Sequence, residues 1–194
     1  MRCQALAAEP GENLRSLLPS LTKEFMTNPV YTTSIPVFKQ MLGGLKEVLN
    51  KAEAHAATRK IEPAALLQAR LFPDMFPLLR QVQVATDFAK SVSARLAGVE
   101  VPKLEDSEQS FADLQARIAT VLAFLEGLDA GKFEEAATRE IITQAGTPKE
   151  KRFTGHSYLL NYGLPHFFFH TTTAYAILRH NGVEVGKKDY IGTY

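Results

Sequence analysis

The stretch Leu164–Gly182, LPHFFFHTTTAYAILRHNG, decides how this chain is read. Phe167, Ala174, Ile177 and Leu178, with Leu159 ahead of them, recur at the three- and four-residue steps that make one apolar face of an α-helix. Arg179 and His180 suit the negative end of such a helix, and Gly182 suits the position just past it. Pro165 predicts a kink. His166 and His170 stand four apart, so their side chains stack one turn apart. At 100° per residue both project within about 60° of the centre of the apolar face. Thr173 continues their line. Two imidazoles placed this way make two points of a grip on a divalent metal such as Zn, Ni or Mn. Phe167 stands where an HExxH peptidase would carry glutamate, which disfavours that enzyme class.

Three more amphipathic helices precede this one. The first spans about Ser34–Ala56, with Pro36 in its first turn. Phe38, Met41, Leu42, Leu45, Val48, Leu49 and Ala52 form its stripe, and His55 falls on it at the C-terminal end. A short helix over Pro63–Arg70 leads to RLFPDMFP. The second long helix is predicted from Asp74, as N-cap, to about Leu96, with Pro77 in its first turn. Met75, Leu78, Val82, Ala85, Ala89, Val92 and Leu96 make its stripe. Asp74 and Gln81 lie about 40–60° from the centre of that stripe and lean inward. Gln83 points away and Asp87 faces water. After the connector VEVPKLEDSEQ, Ser110 and Asp113 form a capping box for the third long helix, which runs to about Leu128. Phe111, Leu114, Ile118, Val121 and Leu125 are its core, with Arg117 on the flank. The only β-like segment is Arg139–Thr143, before the turn signal QAGTPKE, so at most one small β-hairpin is expected. The fold class is therefore all-α, a four-helix bundle.

Composition narrows the rest. The chain has 194 residues, 45% of them apolar and 22% charged, with a formal net charge of +1. That balance fits one globular domain and gives no basic field for nucleic acid. The single cysteine, Cys3, excludes a disulfide framework. No apolar run reaches the roughly 18 residues of a membrane span, so no membrane is expected, and the cytoplasm is the default. Residues 1–28 read as a weakly structured extension without a secretory or transit signal, apart from a short helix around Leu14–Phe25. Residues 29–194 read as the domain, ending in a polar tail, GVEVGKKDYIGTY.

A metal held by His166 and His170 needs a third protein ligand. Asp74, Gln81 and His55 are the candidates. Asp74 is read first as an N-cap, His55 as a residue at the negative end of its helix, and Gln81 as a hydrogen-bond partner for an imidazole. The candidate pocket is Asp74, Gln81, Arg117, His170 and Thr173. Arg117 suits a carboxylate or a thiol conjugate, although such an arginine more often lays its stem over the core edge. The chain has no GxSxG, P-loop, GxGxxG or CxxC template.

RLFPDMFPLLRQVQ (70–83), LQARI (114–118) and LPHFFFHTTTAYAILRHNGVEVGKKDYIG (164–192) resemble an uncharacterised domain-of-unknown-function family of DinB-like proteins, over roughly Val30–Gly192. The resemblance implies a DinB/YfiT-like four-helix bundle, usually a homodimer. Superfamily members include metal-dependent thiol-S-transferases and mycothiol-dependent enzymes, with one histidine on the second helix and an HxxxH on the fourth. His166 and His170 match the HxxxH, but no histidine occurs from Ile61 to Lys151. Two functions follow as expectations. One is a metal-dependent transferase or hydrolase acting on a small thiol or electrophile in a polar pocket around His170. The alternative is a non-catalytic dimeric bundle, ligand-binding or stress-related, with structural histidines.

Overall fold

A computed structural model of the chain describes residues 28–194. The expected extension, its short helix at Leu14–Phe25 and Cys3 lie outside those residues. The described elements are α1 (Pro29–Thr32), α2 (Ile35–Arg59), α3 (Pro63–Leu67), α4 (Leu78–Ala97), α5 (Phe111–Glu126), a 3₁₀ turn (Ala130–Phe133), β1 (Glu140–Thr143), β2 (Lys151–Thr154), α6 (Gly155–Tyr158), a π-helical turn (Leu159–Gly163), α7 (Leu164–His180) and α8 (Lys187–Ile191).

The long helices α2, α4, α5 and α7 form the bundle. Helix α4 packs on both α7 and α5, and α2 packs on the same two from the other side. Their apolar stripes meet in one core. Phe38 of α2 and Phe167 of α7 are both fully buried, with ring centroids 4.9 Å apart edge to face. That contact adds an aromatic term to the burial of two large side chains. Helix α4 ends at Gly98, which takes the left-handed φ of 67°. The capping box at the start of α5 is present. The Asp113 amide donates to Ser110 Oγ at 3.1 Å, and the Ser110 amide donates to Asp113 Oδ2 at 3.0 Å. Strands β1 and β2 form the small antiparallel hairpin, with Ile141 opposite Phe153. Ile141 and Thr143 turn inward.

Four features differ from the sequence reading. Helix α4 begins at Leu78, not at Asp74. Proline disfavours helical backbone in the residue before it, and Pro77 itself is extended, at φ −69° and ψ 165°. Asp74 is left exposed in a turn and caps nothing. Met75 joins that turn, its amide donating to the Phe72 carbonyl at 3.0 Å.

The outer face of α4 is not open to water. The connector before α5 lies across it, and Glu108 Oε2 accepts from Gln83 Nε2 at 2.7 Å. Gln83 is therefore buried and Asp87 only half exposed. Periodicity reports which face is apolar, not what a loop brings over the other face.

The tail is structured. Val183 and Val185 are buried, and α8 packs on α2 at Gly44. Gln40 Nε2 donates to the Ile191 carbonyl at 3.1 Å, Lys51 pairs with Asp189 at 2.7 Å, and Tyr190 Oη lies 2.8 Å from Thr172 Oγ1.

Finally, Pro165 is met by a π-helical turn. The Leu164 amide bonds to the Leu159 carbonyl, five residues back. Proline has no N–H and its ring crowds the carbonyl four residues before it, so a widened turn accommodates it within a continuous helical run.

Candidate functional site

Helices α4 and α7 form the largest helix–helix contact among the described residues. They run antiparallel, so the start of α4 meets the middle of α7. Gln81 projects from the first turn of α4 and His170 from the centre of α7. Both are buried, at 1% and 7% exposure, despite being polar. They satisfy each other, with His170 Nδ1 2.7 Å from Gln81 Oε1. Gln81 Nε2 donates to the Phe76 carbonyl at 3.0 Å, which turns Oε1 toward the ring. Nδ1 therefore carries the proton and donates, and Nε2 keeps its lone pair. The residue read as a hydrogen-bond partner for an imidazole is the one found against it.

Aromatic rings surround the pair. His166 lies flat on Phe88 of α4, with centroids 4.6 Å apart and planes 7° apart. Phe88 also stacks toward His170 at 6.0 Å, and Phe169 meets His170 edge-on at 5.1 Å. Tyr162 touches His166 at 4.5 Å and Tyr158 at 5.6 Å. Tyr158, Tyr162, His166 and His170 thus form a ladder along one side of the last helical run. His166 is exposed at its rim, not turned into the core as the helical wheel suggested. Burial, then the His166 and Arg80 charges, hold the His170 imidazole down at about 4. Burial and then Lys151 lower His166. Both rings are thereby biased toward the neutral form at neutral pH.

The remaining predicted residues lie elsewhere or are engaged. Thr173 is buried, and its hydroxyl donates to the Phe169 carbonyl at 2.7 Å, within its own helix. Asp74 is exposed in the turn before α4. His55 lines a separate hollow with Lys51, Arg59 and Glu184. Arg117 is buried and binds the chain's own groups. It donates to Thr86 Oγ1 at 2.7 Å, to the Glu105 carbonyl at 3.0 Å, to Glu108 at 2.8 Å and to Asp87 at 2.8 Å. It ties the connector to α4 and α5, and none of its bonds reaches the His170 pocket.

Among the described residues, no group of three or more His, Cys, Asp or Glu side chains is placed to hold a metal ion. Gln81 Oε1 already accepts the Nδ1 proton. The donor set as arranged supplies two imidazoles, one buried and one stacked flat on a phenylalanine. It does not fit a centre with three protein ligands.

The cleft nearest this pair is built by residues that the predicted pocket did not include. Beside the ring ladder runs a cleft of about 280 Å³, lined by Arg80, Phe88, Arg95, Tyr158, Tyr162 and Thr143 among others. Gln81, Phe88 and Arg95 stand seven apart on α4, and Tyr158, Tyr162, His166 and His170 stand four apart. Both spacings place residues along one helix face, so the signal was present in the sequence. Its direction relative to the cleft was not, because that depends on how α4 and α7 are docked.

The chain matches, over residues 30–191, the family model described as "Domain of unknown function (DUF1993)". A solved structure described as a DinB family member protein from Shewanella denitrificans shares 44% identity with it. The match covers 88% of this chain and 96% of that one, with a TM-score of 0.82. No curated protein matches. The four-helix packing, the matched span and the likeness to a DinB family structure together show that this chain belongs to the DUF1993 family of DinB-like helical bundles.

Proposed function

We propose that the chain binds a small molecule at His170. The neutral imidazole presents Nε2 as an acceptor for an N–H, O–H or S–H group, and Phe88, Phe169 and Tyr162 supply an apolar wall. The observation that supports this best is the relay from His170 Nδ1 through Gln81 to the Phe76 carbonyl. It orders the ring and selects the tautomer that leaves Nε2 available. Within this reading, a thiol or a small electrophile remains the preferred ligand class. An imidazole held near 4 is a weak base at neutral pH, which favours accepting a hydrogen bond over removing a proton.

Asparagine at position 170 places its amide nitrogen near the site of Nδ1 and has nothing at Nε2. His170→Asn is therefore expected to keep the bond to Gln81 and the fold, but to lose binding of phenol and N-acetylcysteine followed by amide-shift titration. The histidine ring nitrogens, read by long-range proton–nitrogen correlation, should show the Nδ1–H tautomer. An Nε2–H tautomer, or unchanged binding in His170→Asn, sinks the proposal.

A second reading keeps the metal-dependent transferase or hydrolase, on the strength of the His166–His170 spacing. Elemental analysis of untagged protein after incubation with Zn, Ni and Mn tests it. Stoichiometric metal that is lost in His170→Ala would favour it over the reading above.

A further inference from the structure

We propose that the Arg95 end of the cleft is an oxyanion subsite, which takes the carboxylate or phosphate of a small aromatic acid whose ring lies against Phe88 and Tyr162. Arg95 sits in the last turn of α4, where a basic residue ordinarily serves the helix dipole. Here Arg139 takes that role, donating to the Leu96 carbonyl at the helix end. Arg95 turns the other way. Its Nη1 reaches back to the Ser91 carbonyl at 3.4 Å and donates to Tyr158 Oη at 3.1 Å. No carboxylate lies within 4.0 Å of its guanidinium among the described residues. A half-buried guanidinium with one hydroxyl and one weak carbonyl contact has donors left over, in the fork that suits an oxyanion.

The surrounding charge agrees. The carboxylate lining the cleft, Asp87, is neutralised by Lys90 at 3.0 Å and Arg117 at 2.8 Å. Lys151 stands over the Tyr162 ring at 5.6 Å, and it too has no carboxylate within 4.0 Å among the described residues. Burial raises the Tyr158 phenol. It therefore stays protonated, accepts from Arg95 and still has a proton to give. Ser91 and Thr143 add hydroxyls to the lining. A volume of about 280 Å³ suits one ring with an acidic substituent.

The proposal does not depend on what His170 binds. Its test is titration of the isotopically labelled full chain with benzoate, phenyl phosphate and the neutral isostere benzamide. Saturable shifts are expected at the amides of Ser91, Thr143 and Gln144. The better of the two anions should bind about tenfold or more tighter than benzamide, as for a charged hydrogen bond. Preference between the anions separates a carboxylate from a phosphate ligand. Arg95→Gln should lose that advantage, and His170→Asn should keep it. Because Arg95 also holds Tyr158, a second variant guards against misfolding. Gln144→Glu puts a negative charge on an exposed lining position and should weaken both anions several-fold with the fold intact. Benzamide binding as tightly as the anions would overturn the proposal. So would anion affinity unchanged in Gln144→Glu and in a folded Arg95→Gln, or lost in His170→Asn alone.

Discussion

At the scale of the residue, the site turns on one proton. His170 is held at about 4 against an ordinary 6.5 for the free side chain. The unfolded chain therefore takes up this proton at a higher pH than the folded chain does. The sign follows from linkage. Relative stability is complete above about pH 6.5 and is lost as the pH falls toward 4. The loss at the acid end is on the order of 3 kcal/mol. Denaturant unfolding across that window should show this slope, and His170→Asn should flatten it. Gln81→Glu makes the complementary case. A carboxylate at 2.7 Å from Nδ1 would favour the imidazolium, so the His170 pKa should rise, as read by proton NMR titration. An unmoved pKa would mean that the ring is not held by residue 81. His170 and Gln81 were legible as chemistry because buried polar residues on apolar faces need partners. Arg117 misled for the same reason. Its position showed that it faces inward, but its acceptors came from a connector whose path no periodicity encodes.

At the scale of the element, the α4–α7 seam depends on a missing side chain. A Cβ on Gly163 would stand 2.8 Å from Val92 Cγ2 and 3.0 Å from Cγ1. Valine is stiff within a helix and cannot swing clear. Gly163→Ala should therefore cost about 1–3 kcal/mol by overpacking. Val92→Ala should rescue part of that cost, which a double-mutant cycle by chemical denaturation measures. Additive losses would show that the two helices do not meet there. Helix existence was legible from apolar stripes, and the α5 capping box from Ser110 and Asp113. The start of α4 was not. Asp74 has the side chain of an N-cap, but Pro77, three residues on, forces extended backbone where the helix was expected to begin.

At the scale of the whole molecule, the sequence reading recovered the bundle and the hairpin but took Gly182–Tyr194 for a tail. Its apolar residues are too few to make a stripe, and its docking uses a gap instead. A Cβ on Gly44 would meet the Tyr190 carbonyl oxygen at 2.6 Å and that of Asp189 at 3.0 Å. Gly44→Ala should displace α8, with loss of amide-exchange protection confined to residues near its end of the chain while the core keeps its own. No helix among the described residues is long and apolar enough to cross a membrane. Phe72, Phe76 and Phe169 are more than half exposed, at 63%, 52% and 55%. Self-association through these side chains would show in sedimentation as a larger species for wild type that is lost in Phe72→Ser and Phe169→Ser.

The π-helical turn at Leu159–Gly163 has a consequence for how this site tolerates change in chain length. Residues four apart on an α-helix drift by about 40° at each step, so four such residues would spiral off any single line. A wider turn between Tyr158 and His166 takes up part of that drift and keeps the rings in phase along α4. The turn amounts to one extra residue held within an α-helix, so deleting one of its residues would restore regular winding and leave Tyr158 near its present phase. Deleting two, or adding one more, would instead rotate Tyr158 by about 100° relative to His170. The tyrosines and histidines are thus kept in line by a count of residues, and any change beyond that single extra residue would part them even with every side chain retained.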